Sequence, residues 1–173
     1  EEQAPQYSHI HFTSDLDEVL NDPLVKLVVV CTHADSHFEY AKKALEAGKN
    51  VLVEKPFTPT LEEAKTLFAL ANSKGLTVTP YQNRRFDSCF LTTKKVIESG
   101  KLGELVEIES HFDNYRPLAE TNPGGPQNGE FYGLGVHTLD QIISLFGRPD
   151  HVSYDLRSLR NKANPDDTFE AQL

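Results

Sequence analysis

Val51-Leu52-Val53-Glu54-Lys55-Pro56 is the stretch on which the fold turns. Three apolar residues make a short buried strand, which ends by presenting a carboxylate and an amine. Pro56 has no amide hydrogen and stops further strand pairing. In an open α/β sheet, ligands bind at the carboxyl ends of the strands. An amine at Lys55 is therefore placed for chemistry. The competing reading is a surface turn with a chance ion pair. The flanking segments bear on the choice.

Upstream, Leu27-Val28-Val29-Val30-Cys31 is a continuous apolar run, as expected of a strand covered on both faces. Ser36 or Asp35 caps a helix through Ala47, with Phe38, Ala41, Ala44 and Leu45 on one face and Gly48 as its stop. Downstream, Thr60 and Glu63 form a capping box. The helix they open has the stripe Leu61, Ala64, Leu67, Phe68 and Ala71, and Gly75 closes it. Thr77 to Tyr81 is the next strand. Ile10-His11-Phe12 reads as a further short strand, and Ser14 as the cap of a helix over 15–20. Strands and helices alternating through short links are the mark of βαβ units and a parallel sheet.

The pattern changes after Arg85. A helix ends at Gly100. Leu105 to Tyr115 alternates with period two, as in an antiparallel strand with one buried face. Pro117 to Gly129 is a long polar loop, of a length that is usually functional or mobile. Leu134 to Phe146 is an amphipathic helix, Val152 to Leu156 a strand, and Thr168 onward another. The expected class is α/β: a partial Rossmann-type parallel sheet in residues 1–85, then part of an α+β domain with a mainly antiparallel sheet in residues 86–173. The sequence contains no methionine and stops within a strand-like pattern, so we expect an internal part of a longer protein, inactive in isolation.

A net charge of -9 argues against nucleic acid or an anionic membrane as partner. No apolar run is long enough to span a bilayer. The two cysteines, Cys31 and Cys89, read as buried thiols of a cytoplasmic protein.

Four polar clusters fall at the expected ligand edge. Thr32-His33-Ala34-Asp35-Ser36-His37 precedes a helix, and its amides suit an anion such as a pyrophosphate. His33 and His37 have a spacing that binds zinc on a helix, yet no third ligand is evident and no metal is expected. Helix capping is the other reading of this segment. The second cluster is Glu54-Lys55-Pro56. The third, Gln82-Asn83-Arg84-Arg85, offers amide and guanidinium donors or a plain solvated turn. The fourth is Tyr132-Gly133-Leu134-Gly135-Val136-His137-Thr138-Leu139-Asp140-Gln141. His137 there is either a proton-transfer group or a core histidine paired with Asp140. The first glycine in the chain is Gly48, so no G-x-G-x-x-G phosphate loop precedes these strands. A mononucleotide-binding half is expected before Glu1.

Together the clusters resemble the glucose-fructose oxidoreductase / inositol dehydrogenase / MocA family of nicotinamide-dependent oxidoreductases. Cys31-Thr32 with Ser36-His37, Ala47-Gly48-Lys49 before Val51 to Pro56, Tyr81 to Asp87, and Gly135 to Asp140 carry the likeness. The resemblance implies NAD or NADP as cofactor. It implies hydride exchange with a sugar or polyol and assembly as a homo-oligomer, dimer or tetramer. Lys55 would stabilise the reacting oxygen and His137 would exchange its proton. Thr32, His33, His37, Glu54, Lys55, Asn83 and Arg84 would line the cofactor, and Lys55, Tyr115 and His137 the substrate. A cis bond at Lys55-Pro56 is also implied. Family members usually carry an aspartate where this chain has Gly133. A different substrate, a substitute from Asp113 or Tyr115, or weaker catalysis would each follow from its loss. The rival reading is a catalytically weak relative that binds a nucleotide or sugar as a regulatory module.

Overall fold

The computed structural model describes residues 7, 9–115, 117–118 and 123–173. Most of the polar start (Glu1 to Tyr7) and part of the Pro117–Gly129 loop lie outside the described residues. The chain divides into two compact units, Glu1–Glu54 with Thr60–Thr79, and Lys55–Pro59 with Pro80–Leu173.

The first unit holds α1 (Leu16–Asn21), β1 (Leu27–Val30), α2 (His37–Glu46), β2 (Asn50–Val53) and α3 (Leu61–Ser73). It also holds most of β3 (Val78–Pro80). The sheet order is β1-β2-β3, and β1 pairs with β2 in parallel register, Val28 opposite Val51 and Val30 opposite Val53. The ladder is extended where the Glu54 N–H donates to the Val30 carbonyl at 2.9 Å. Helix α2 packs on β1, β2 and α3. Val30, Ala41, Ala44, Leu45, Val51 and Val53 form the centre of the core. Truncating a fully buried leucine such as Leu45 costs about 2–5 kcal/mol by the usual cavity rule. The capping box forms as expected: Thr60 Oγ1 accepts from the Glu63 N–H at 3.2 Å, and Glu63 Oε2 accepts from the Thr60 N–H at 3.0 Å. Gly48, at φ +79°, ends α2 in the left-handed region that favours glycine.

Among the described residues β1 ends the sheet order, with Val30 buried against α2 and Leu27 and Val29 half exposed. Several expectations are corrected. Ile10 to Phe12 forms no strand, and the cap of α1 is Asp15, whose carboxylate accepts from the Asp17 N–H. Leu61 and Phe68 on α3 are exposed, and His37 replaces Phe38 in the buried face of α2. Both cysteines are exposed and unbridged.

The second unit holds α4 (Ser88–Glu98), α5 (Val136–Phe146) and the antiparallel pair β4 (Ser153–Arg157) and β5 (Thr168–Gln172). Leu105 to Tyr115 is extended but makes no strand ladder among the described residues, and Val106 is 93% exposed. Period-two alternation specifies extended backbone; a partner strand is what makes it a strand. The helix ending in α5 begins earlier than expected, as a π-helical turn over Phe131–Gly135. Such turns concentrate at functional sites. Asp166 fixes the start of this turn: its side chain accepts from the Phe131 N–H at 2.7 Å, and its carbonyl accepts from the Glu130 N–H at 2.9 Å. Phe131 then packs edge-on against Phe169, ring centres 5.6 Å apart.

Candidate functional site

In the first unit, the segment after β1 is braced from within. His37 is 1% exposed, and its Nε2 lies 3.0 Å from the Thr32 carbonyl. Ser36 is the cap residue by position, yet its hydroxyl serves the loop. It lies 2.7 Å from Thr32 Oγ1 and 2.7 Å from the His33 carbonyl. Thr32, His33 and Asp35 are the exposed members of the cluster, and buried His37 braces Thr32 from behind. Glu54 is half-buried at the carboxyl end of β2.

In the second unit, the Lys55-Pro56 bond is cis. The Lys55 ammonium donates to the Gly133 carbonyl at 3.1 Å. Gly133 lies in the π-helical turn that runs directly into α5, whose second residue is His137. His137 is 3% exposed. The lysine thus reaches, across 78 positions of sequence, the helical segment that leads into buried His137. Tyr132 Oη adds a long bond of 3.5 Å to the Pro59 carbonyl, tying the same two segments together.

The third cluster forms a short helical turn over Asn83–Phe86. Asn83 is exposed. Arg84 turns to Asp87 at 3.0 Å and lies 4.8 Å over the Phe112 ring, while its carbonyl accepts from Gln141 Nε2 at 2.8 Å. Arg85 grips both Asp140 oxygens at 2.7 Å, and this bonding raises the Arg85 pKa despite partial burial. Asp140 is therefore the partner of Arg85, not of His137 as the core-histidine reading had it. Tyr115 is 94% exposed. The large groove of this unit runs along Leu105, Ile108, Ile142, Phe146 and Leu173, and neither Lys55 nor His137 lines it.

Residues 1–82 match the oxidoreductase family described as an NAD-binding Rossmann fold, and residues 90–173 match the GFO/IDH/MocA C-terminal domain. The chain belongs to the GFO/IDH/MocA family. It is 88% identical over its whole length to the uncharacterized oxidoreductase YhhX of Escherichia coli, covering 50% of that protein. A crystal structure of yhhX superposes with a TM-score of 0.94 over 100% of this chain and 50% of that one. An oxidoreductase structure from Bacillus cereus, 50% identical, gives a TM-score of 0.93 over 99% of this chain and 49% of that one. The scyllo-inositol 2-dehydrogenase (NADP(+)) IolW of Bacillus subtilis is 36% identical over 100% of this chain and 49% of its own length. The chain thus spans about half the length of the curated relatives it matches.

The family's NAD-binding fold calls for polar groups that suit a nicotinamide amide, and the second unit offers one. Gln82, at the end of β3, buries its Oε1 with no hydrogen-bond partner among the described residues. A buried, unsatisfied acceptor of this kind suits an amide donor. Two features escaped sequence reasoning. Gln82 stood in the third cluster without a role, and Asp166 carried no local signal because its side chain's partner, Phe131, lies 35 positions away.

Proposed function

We propose that a full-length protein carrying these residues is an NAD(P)-dependent oxidoreductase that exchanges a hydride with a carbinol or carbonyl carbon of a sugar or polyol. The observation that carries the reading is the Lys55 ammonium on the Gly133 carbonyl, in the helical segment that leads into buried His137. The name of the relative IolW supports a polyol substrate. The nicotinamide, when bound, takes up or returns the hydride. Lys55 has three ammonium protons, one of them on Gly133, and donates another to the reacting oxygen. That oxygen gathers negative charge as the hydride leaves, and a fixed ammonium stabilises it. His137 takes the hydroxyl proton in oxidation and returns it in reduction.

Thr32, His33 and Glu54 at the strand ends, with Asn83, Arg84 and Gln82, serve the cofactor, and His37 serves it through Thr32. Tyr115 borders the substrate. Residues 1–85 form the cofactor-binding part and residues 86–173 the start of the substrate and assembly domain. Exposed Tyr154 and Leu156 on β4 support assembly as a dimer or tetramer. No helix among the described residues is long and apolar enough to cross a membrane, and both thiols are unbridged. We place the protein in the cytoplasm on that basis.

The test is to follow reduced-cofactor absorbance with a panel of inositols and aldoses, using both NAD and NADP. Turnover that collapses in the Lys55→Ala variant supports the reading. Cofactor binding without turnover on any member assigns a binding module instead.

A further inference from the structure

Gly133 has no backbone or packing reason to be glycine. It lies inside the π-helical turn Phe131–Gly135, and its φ is outside the left-handed region. A glycine there costs about 1 kcal/mol relative to alanine. Apart from its own helix backbone and chain neighbours, a β-carbon built on it meets a single atom within 4 Å among the described residues, the Glu130 carboxylate oxygen Oε2 at 3.9 Å. The contrast with Gly135 is plain: a β-carbon there would press on the Phe131 ring at 2.9 Å. Gly133 therefore keeps a space open, not a close contact. That space adjoins the residue whose carbonyl holds the Lys55 ammonium, and a carboxylate borders it.

We infer that Glu130 is a substrate-binding carboxylate, which accepts a hydrogen bond from a hydroxyl of a polyhydroxylated substrate seated in the space above Gly133. The inference rests on the oxidoreductase reading for the identity of the reacting centre. Glu130 is one helical turn before Gly133, on the same face. It is half-buried, and no hydrogen bond or ion pair of its side chain is found among the described residues. A half-buried carboxylate without a protein partner is a ready acceptor for a ligand hydroxyl, and it carries only acceptors. With Lys55 donating nearby, the space offers one donor and one acceptor, the pair that adjacent hydroxyls of a polyol require. Glu130 moves no proton and touches no reacting atom in this scheme. It sets which hydroxyl pattern fits.

The experiment uses the full-length protein and four forms: wild type, Glu130→Gln, Gly133→Asp, and the double variant. Each is assayed for turnover on the inositol and aldose panel, and for equilibrium binding of the same polyols by calorimetry with reduced cofactor present. Glu130→Gln is expected to raise KM and polyol Kd by about tenfold to a hundredfold, the range for a hydrogen bond to a charged group. Cofactor Kd stays unchanged. Gly133→Asp alone crowds the space with a second carboxylate and weakens polyol binding. The double variant returns a single carboxylate to the same space and recovers part of the affinity, which a merely structural Glu130 would not allow. If wild type turns over and Glu130→Gln behaves identically on every substrate, the inference about Glu130 fails while the oxidoreductase reading stands. If polyols bind in a Glu130-dependent way without turnover, the subsite stands and the reaction falls. If wild type neither turns over nor binds any polyol, both are overturned.

Discussion

Lys55 and Gly133 are 78 positions apart in the chain, and the ammonium of one lies 3.1 Å from the carbonyl oxygen of the other. The bond fixes a flexible four-carbon side chain at the turn that leads into His137. Replacing Lys55 by alanine in the full-length protein is expected to lower kcat by about a hundredfold to a thousandfold, the range for losing one donor to a developing oxyanion. Lys55→Arg keeps the charge but offers a planar fork in place of a compact ammonium, and restores little. Steady-state kinetics with cofactor titration separates the effects. An equal loss of cofactor affinity in Lys55→Ala would falsify the catalytic assignment.

Arg85 and Asp140 join the third and fourth sequence clusters through two parallel bonds of 2.7 Å. The Asp140 side chain is 16% exposed and that of Arg85 49%. Geometry favours the pair and water screens it. A double-mutant cycle with Arg85→Ala and Asp140→Ala should give a coupling of about 1 kcal/mol or less, shrinking as salt is raised. Denaturant midpoints of the four proteins at low and high salt measure it. A coupling indifferent to salt would show that packing, not charge, joins these segments.

How far these relationships were legible follows from their range in sequence. The β2–α3 region was readable because each signal is local: three apolar residues, a proline, and a Thr60–Glu63 box that closes on itself. The end of β2 and the start of α5 were readable for the same reason, so Glu54, Lys55 and His137 could be named as candidates. Long-range pairing was not. Nothing near Asp140 announces Arg85, 55 positions away, so Asp140 was read against its neighbour His137. Periodicity also leaves coverage open. Val28 and Val30 predict a strand whether one face or two are covered. Leu105 to Tyr115 has the alternation of a strand without a ladder among the described residues. Glu130 was missed because its meaning comes from the bare backbone of Gly133, and an empty space has no residue to signal it.

Gly129 and Asp166 are matched to each other. A β-carbon on buried Gly129 would collide with Asp166 Oδ1, the carboxylate whose other oxygen holds the Phe131 N–H. Gly129→Ala should therefore destabilise the protein by about 1–3 kcal/mol, as overpacking does. Asp166→Ala leaves a part-buried N–H without its acceptor and should cost a similar amount, about 1–3 kcal/mol. The double variant should lose less than the sum, because removing the carboxylate makes room for the methyl. Urea midpoints of the three variants test this. Strict additivity would show that the two positions do not meet.

Asp167 gives the second unit an acid-sensitive latch. Burial alone would push its carboxyl up. The Leu159 and Arg160 N–H groups at 2.9 Å each, with the Arg160 guanidinium at 3.0 Å, outweigh it and bring the pKa down to about 2 from 3.8. The folded carboxyl thus binds its proton less readily than the unfolded one. Between the two values the unfolded state carries more protons, and stability falls as pH falls. The contribution is complete above about pH 5 and is lost progressively as the pH drops through 3.8 toward 2. Asp167→Asn cannot titrate. It should be less stable than wild type at neutral pH, and its stability should fall less steeply over that acid window. Thermal midpoints taken at intervals from pH 6 to about pH 2.5 give both curves. If the gap between them stays constant across the window, Asp167 is not the group that titrates. If it closes as the pH falls, the loop from Leu159 to Asp167 is held by this carboxylate.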